Sequence, residues 1–461
     1  MRAKKMFQSN KRLSIVSLFL VMSAMVALFA GVSSMARATP GSPGTPEAPV
    51  IIYSEDFQNT PSLAPVNLAS YTGAAGMTYS ASTSWLTTCN GEILAFSTPN
   101  SAFTTSNCSV GNGGANSGTN LTGAFDQVRR MAYALGQLNS ATDPAINKAL
   151  TAYTDYGNLY ANPGAGLIQL ETRSPIVLPG SSRRFVISDV DTAAVNCAFT
   201  GTVQAKLVFY LLDGSDTRRI NQTPINVCTD SAAQQFTPPA LQTNGSGSLS
   251  SGVVQAARIH TDRALLTQTT SVGMRMVNEE GGGYGNDNAL DNIQITDASP
   301  KLDKAFDPAT VLVGETSRMT FTVTNTTDLL AKAGWSFTDS LPEGLLVAET
   351  PNVATTCSSG SITASGDRLQ VSYSGNLDGG QTSCTLSIDV TSQIPATYTN
   401  GPSNIVSPVG LRLPADASVT FAPHVPSTGG VRNQTINYVV LGALTVIPAL
   451  GIIKKFKHKR A

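Results

Sequence analysis

The chain has 461 residues, 30 basic and 30 acidic side chains, three histidines and a charged fraction of 13%, about half the usual share. Six basic residues lie in 1–38 and six in 429–461, with no acid in either stretch; the body between them carries 18 basic against 30 acidic groups, a net of −12. An acidic body argues against nucleic acid as a partner, because phosphate binding needs Lys/Arg patches.

Arg2, Lys4, Lys5, Lys11 and Arg12 precede an uncharged apolar run from Leu13 to Val32, followed by Ala36-Arg37-Ala38. A basic start, an apolar middle and a small-x-small exit form the pattern of a secretory signal peptide, here residues 1–38, cut by signal peptidase after Ala38. The run is also long enough to cross a bilayer, so an uncleaved anchor is the competing reading. Residues 39–49, TPGSPGTPEAP, form a Pro/Gly-rich linker with no means of packing a core.

Residues 50–297 read as a first domain of short apolar strands separated by Gly, Ser, Thr and Asn. Val50–Phe57 opens it and Ala289–Ile295 closes it, and Phe185–Ile187, Val203–Leu211 and Val272–Met276 lie between. Met274 and Met276 alternate with Arg275, the period-two signature of a half-buried strand. A helical insert near 122–157 interrupts the pattern. Phe125, Val128, Met131, Ala132, Leu135 and Leu138 recur at helical spacing over 122–139. A second helix is expected from Asp143-Pro144, as cap and first turn, to about Tyr153. The insert is expected to cover an open face of a sheet; a partner-binding surface is the alternative.

Gly281-Gly282-Gly283-Tyr284-Gly285-Asn286-Asp287-Asn288 leads into the closing strand. Its oxygens suit a hard cation such as calcium, with Glu55, Asp56, Asp287 and Asp291 as candidate ligands. An ordinary Asn/Asp/Gly turn is the plainer alternative. The opening Glu55-Asp56-Phe57 and closing Asp291-Asn292-Ile293 resemble the terminal strands of jelly-roll domains of the carbohydrate-binding or lectin type. That resemblance implies chain ends lying side by side.

Residues 299–422 read as a second β-sandwich. Met319, Phe321 and Val323 alternate with Thr320, Thr322 and Thr324, and Leu386, Ile388 and Val390 repeat the alternation. Asn325–Asp328 and Pro342-Glu343-Gly344 are turns. The string Lys304-Ala305-Phe306-Asp307-Pro308, Met319–Asn325, Phe337-Thr338-Asp339-Ser340-Leu341-Pro342-Glu343-Gly344-Leu345 and Cys384–Val390 resembles the immunoglobulin-like repeat of bacterial surface proteins known as domain of unknown function eleven. Some surface-protein immunoglobulin-like domains carry an internal Lys–Asn isopeptide bond. Carried over to this chain, the resemblance points to Lys304 as nucleophile, Asn400 or Asn404 as acceptor and Asp339 as the buried acid. The reaction needs an apolar surrounding that keeps the amine neutral; a solvated lysine is the alternative.

Cys89, Cys108, Cys197, Cys228, Cys357 and Cys384 all lie in the body. An even count in an exported chain reads as disulfides, expected between sequence neighbours although spacing leaves connectivity open. No CxxC pair supports a metal site.

The C-terminus holds Val425-Pro426-Ser427-Thr428-Gly429, an apolar span over 438–453 and a basic tail over 454–461. The basic tail stays cytoplasmic and the span halts in the membrane. Motif, span and tail resemble the cell-wall sorting signal of sortase substrates in Gram-positive, chiefly actinobacterial, bacteria. Val425 stands where that motif has leucine. The resemblance implies cleavage after Thr428 and linkage of Thr428 to peptidoglycan; a plain membrane anchor is the alternative.

His260 is the only histidine of the folded body apart from His424, and no G-x-S-x-G, HExxH or P-loop occurs. The expected fold is therefore mainly β. A jelly-roll-like sandwich with a helical insert precedes an immunoglobulin-like sandwich, with apolar helical segments at both termini. The expected function is non-enzymatic surface presentation, with a glycan or a host or neighbour-cell protein as ligand and no cofactor beyond the calcium alternative. A structural surface or minor pilus component is the second reading and a surface glycosidase the third.

Overall fold

The computed structural model describes residues 41–86, 90–99, 117–153, 164–198, 203–239, 252–282 and 286–424. The signal segment 1–38, the motif 425–429, the span 438–453, the tail 454–461, Cys89 and Cys108 lie outside them. Among the described residues, no helix is long and apolar enough to cross a membrane. The architecture is mainly β, built from antiparallel sheets stacked as sandwiches.

The first sandwich stacks a nine-stranded sheet on a six-stranded one. Val50–Glu55 pairs antiparallel with Asn288–Asp297, Val50 opposite Asp297, so the two ends of this region lie side by side. Phe185–Val195 runs between Val254–His260 and Asn288–Asp297. All of its residues are buried, and on the outer face the helix covers only its Ala193–Val195 end. From the other sheet, Ser271–Asn278 sends Met274 and Met276 into the core while Arg275 turns outward to Glu171.

The helix Ser117–Leu138 lies on the outer face of the nine-stranded sheet. Val128, Met131, Ala132 and Leu135 pack there against Leu94, Ala149, Ala193, Val254 and Ala289. The small alanines on the strands let the helix approach closely. The expected second helix stops after one turn. Asp143 Oδ1 accepts from Ala145 N at 3.0 Å and caps a 3-10 turn, Pro144–Ile146, as the Asp-Pro signal implies. Lys148–Ala152 then becomes a strand between Glu92–Ala95 and Asn288–Asp297. All five of its residues are buried; pairing on both sides overrides their helix propensity.

The second sandwich is built from sheets of five, three and four strands. Lys301–Asp307 pairs with Thr316–Thr324, which pairs with Ser383–Thr391. Lys332–Ser340 pairs with Gln370–Leu377, and Ala396–Asn400 with Ala417–Ala422. Phe321, Phe337 and Tyr373 form an aromatic cluster at its centre, with centroids 4.8–4.9 Å apart.

The Pro/Gly-rich stretch contributes nothing to a core, yet it is docked along the second sandwich by polar contacts. Thr327 N donates to Glu47 O at 3.0 Å, Gly44 N to Thr324 Oγ1 at 2.9 Å and Lys301 Nζ to Gly41 O at 3.0 Å. Where the two sandwiches meet, Phe185 of the first packs into the core of the second. Arg184 Nη1 donates to Leu411 O at 2.8 Å and Gly410 N to Arg183 O at 3.0 Å. Gly410 has φ 66° and a Cβ there would meet Phe185 at 2.6 Å, so glycine is required on both counts.

Candidate functional site

Three polar side chains occupy inward positions of the second sandwich. Along Lys301–Asp307, Lys304 shares the phase of buried Leu302 and Phe306. Along Lys332–Ser340, Asp339 follows buried Trp335 and Phe337 at period two. Asn400 follows buried Tyr398 at the end of Ala396–Asn400. Strand geometry therefore drives all three toward one interior point.

There, Lys304 Nζ lies 2.5 Å from Asn400 Oδ1 and 3.1 Å from Asp339 Oδ1. Asn400 Nδ2 donates to Asp339 Oδ2 at 2.8 Å. The side chains of Lys304 and Asp339 are fully buried and Asn400 is 0% exposed. The ammonium position sits 4.9 Å from the Phe321 ring centroid, and Met319 Sδ lies beside Asn400 Nδ2. Burial pushes the Lys304 amine below its ordinary range and the Asp339 carboxyl above its own, against their mutual attraction. Both shifts favour neutral forms. A neutral amine is a nucleophile, and a neutral carboxyl has a proton to give.

The fourth expected residue, Asn404, is elsewhere. Its Oδ1 accepts from Gly401 N at 3.0 Å and its Nδ2 donates to Ser340 O at 2.8 Å, so it closes the turn after Asn400.

The candidate calcium ligands do not assemble. Glu55 turns into the core, where its carboxylate accepts from Tyr71 OH at 2.8 Å, Tyr79 OH at 2.5 Å and Phe57 N at 2.7 Å. Asp56 instead caps Gln58 N at the surface. Asp291 is buried, accepts from Asn147 Nδ2 and Asn292 N, and is pushed well above the carboxylate range by burial. Asp287 is buried in the turn before the closing strand. Among the described residues no group of three or more His, Cys, Asp or Glu side chains is placed to hold a metal. At the described end of this loop Asn278 Nδ2 donates to Asn286 Oδ1 at 2.6 Å and Asn288 Nδ2 to Asn286 O at 3.1 Å; Gly283, Tyr284 and Gly285 lie outside the described residues.

Two of the expected neighbour disulfides are present, Cys197–Cys228 and Cys357–Cys384. They close segments of 31 and 27 residues, each contributing about 3–4 kcal/mol in the chain-entropy model.

With this geometry established, the comparisons add a family for one region. Residues 300–421 match the model described as Domain of unknown function (DUF7933). That match covers the second sandwich, less than half of the chain. No curated protein matches the sequence. Among solved structures, the seventh ScaB type I cohesin from Pseudobacteroides cellulosolvens aligns at 11% identity, covering 29% of this chain and 99% of its own, with a TM-score of 0.20. The N-terminal domain of the Streptococcus gordonii adhesin Sgo0707 aligns at 10% identity over 60% and 66%, with a TM-score of 0.28. BcpA, the major pilin subunit of Bacillus cereus, aligns at 12% identity over 51% and 69%, with a TM-score of 0.21. At these values the likenesses carry no inference about ligand or function.

Proposed function

We propose that the protein is a non-enzymatic cell-surface protein, exported and then joined to peptidoglycan through Thr428 by a sortase. In this reading the DUF7933 region is a covalently braced stalk. It holds the first sandwich away from the wall, where it meets a glycan or a protein of a host or neighbouring cell.

The observation that carries this reading is the sealed Lys304–Asp339–Asn400 constellation. No external substrate reaches side chains that are fully buried, so their chemistry is with one another and happens once per chain. Lys304 Nζ attacks Asn400 Cγ as an amine, forming a C–N bond. Asp339 takes the proton released from the attacking nitrogen and supplies one to Nδ2, whose bond to Cγ breaks. Nδ2 leaves as ammonia, and the product is an amide between Lys304 and Asn400. The hydrogen bond from Nδ2 to Asp339 Oδ2 places the acid at the leaving group. A brace of this kind suits a protein under load and serves no turnover. The sequence termini supply the other half of the reading, since basic start, apolar runs, motif and basic tail match export and sorting.

Fractionation of cells expressing Thr428→Ala tests the anchoring. The variant is expected in membrane and medium fractions, with none released by wall-digesting enzymes. A wall-linked fraction equal to wild type would contradict sortase linkage. Binding of the exported protein across glycans and matrix proteins tests the ligand role; flat signals would leave the purely structural surface reading in its place.

A further inference from the structure

The outer face of the nine-stranded sheet is only half covered by the helix. Ala193, Val254, Ala256 and Ala289 lie under it. Along the same strands and on the same face, the pattern continues as Ile187 and Asp189, His260, and then Gln294 and Thr296 past the irregularity between Asp291 and Gln294. This uncovered half lines a cleft of about 630 Å³ together with Thr327, Asp328 and Leu330 of the second sandwich. The volume lies in the range of small-ligand sites.

The lining has a definite chemistry. Ile51, Ile187 and Leu330 are aliphatic, no Phe, Tyr or Trp lines the cleft, and Asp189, Asp262 and Asp328 bring three carboxylates. The Asp328 charge is balanced by Lys332, buried and 2.7 Å away. Arg258, beside the cleft, is committed to Asp191 and Gln294. Asp189 Oδ2 accepts from Thr296 Oγ1 at 3.1 Å, and its Oδ1 lies 3.4 Å from His260 Nδ1. Asp262 accepts from Gln222 N and Thr223 N through one oxygen each. A carboxylate has about four lone-pair sites, so Asp189 and Asp262 both keep acceptor capacity; Asp189 shares its charge with His260, whereas Asp262 accepts from backbone N–H groups. His260, exposed at the rim, is the remaining titratable donor of the lining.

An acceptor-rich, partly apolar cleft on a body of net −12 disfavours anions and favours a cationic group. We propose that it receives a cationic side chain, lysine or arginine, from a partner protein. The methylene stem lies on Ile51, Ile187 and Leu330, and the head group meets Asp189 and Asp262. Long basic side chains bury their stems on apolar surface while the charge stays paired or wet. This binding site does not depend on the Lys304 brace or on wall linkage, so its failure leaves those readings standing.

The test uses the full-length protein in non-ionic detergent and follows the His260 ring protons by NMR, assigned with His260→Gln. Probes are N-acetyl-lysine amide, N-acetyl-arginine amide, uncharged N-acetyl-norleucine amide and a neutral mannose oligosaccharide. Saturable shifts from one or both cationic probes, and none from norleucine, are expected; which cation binds tells lysine from arginine. Asp189→Asn and Asp262→Asn should each weaken the binding about fivefold, the scale of one partly exposed ion pair. Because Asp262 also anchors the 222–223 backbone, salt at about 0.5 M provides a mutation-free check and should weaken binding as well. No shift, an equal shift with norleucine, or a shift with the oligosaccharide alone would overturn the proposal.

Discussion

At the scale of single residues, the protein turns on charged groups placed where apolar ones belong. Asp339→Asn keeps the volume and the hydrogen-bond reach but removes the acid. It should abolish the Lys304–Asn400 bond and leave the mature chain about 16 Da heavier than wild type, the ammonia it retains less the ~1 Da that Asp→Asn removes, read by intact mass. Losing a brace between residues 96 positions apart removes about 4–5 kcal/mol in the chain-entropy model, measured as a lower denaturation midpoint. His260 is a smaller case. The neighbouring Asp189 carboxylate raises its pKa above the ordinary value, so this pair's contribution is complete at acid pH and is lost as pH rises through the folded His260 value. Thermal melts at about pH 5 and pH 8 should show a wild-type advantage over His260→Gln at the acid end only. The effect should be small, because the imidazole is 73% exposed.

The period-two pattern makes much of the second sandwich legible in the sequence. Lys304, Asp339 and Asn400 share the phase of Leu302, Trp335 and Tyr398, and that phase is what carries them inward. Asn404 was not separable from Asn400 by sequence, because both follow the same strand and only the turn geometry sends one in and the other back to Ser340. Glu55 misled for a related reason. Its acidic type suggested a cation, but its phase on Val50–Glu55 is that of buried Tyr53, and the tyrosine hydroxyls that satisfy it are distant in sequence.

At the scale of elements, local signals succeeded at starts and failed at continuations. Asp143-Pro144 does begin a helical turn, but the strands on either side claim Lys148–Ala152. No local pattern announces that, since a centrally paired strand buried on both faces loses its alternation. The helix Ser117–Leu138 was legible from its spacing, and its role as a cover follows from the alanines beneath it. Leu135, fully buried at that contact, is the place to test it. Leu135→Ala should cost about 2–5 kcal/mol in urea unfolding. A change of under 0.5 kcal/mol, the scale of a surface substitution, would mean that the helix is not load-sharing with the sheet.

At the scale of the whole molecule, the two sandwiches share a side chain. Phe185 starts a strand of the first and fills the core of the second, Arg184 reaches Leu411, and residues 41–49 run from the second sandwich into the first strand of the other. Composition marks a linker at 39–49 and a boundary near 298. It misses the coupling, because polar docking of a Pro/Gly-rich segment has no periodic signature. Phe185→Ala should cost about 3–5 kcal/mol and split one calorimetric transition into two. A single transition at an unchanged midpoint would show that the junction is not cooperative.

In the proposed reading a Lys304–Asn400 brace makes the DUF7933 region a stalk, and that brace is the most direct target for measurement. Tandem mass spectrometry of the tryptic digest should find the Lys304 and Asn400 peptides as one branched species, lighter than their sum by about 17 Da, the mass of ammonia. It should be absent from Lys304→Ala, Asp339→Asn and Asn400→Ala. Recovery of the two peptides separately and at full mass from wild-type protein would contradict the account.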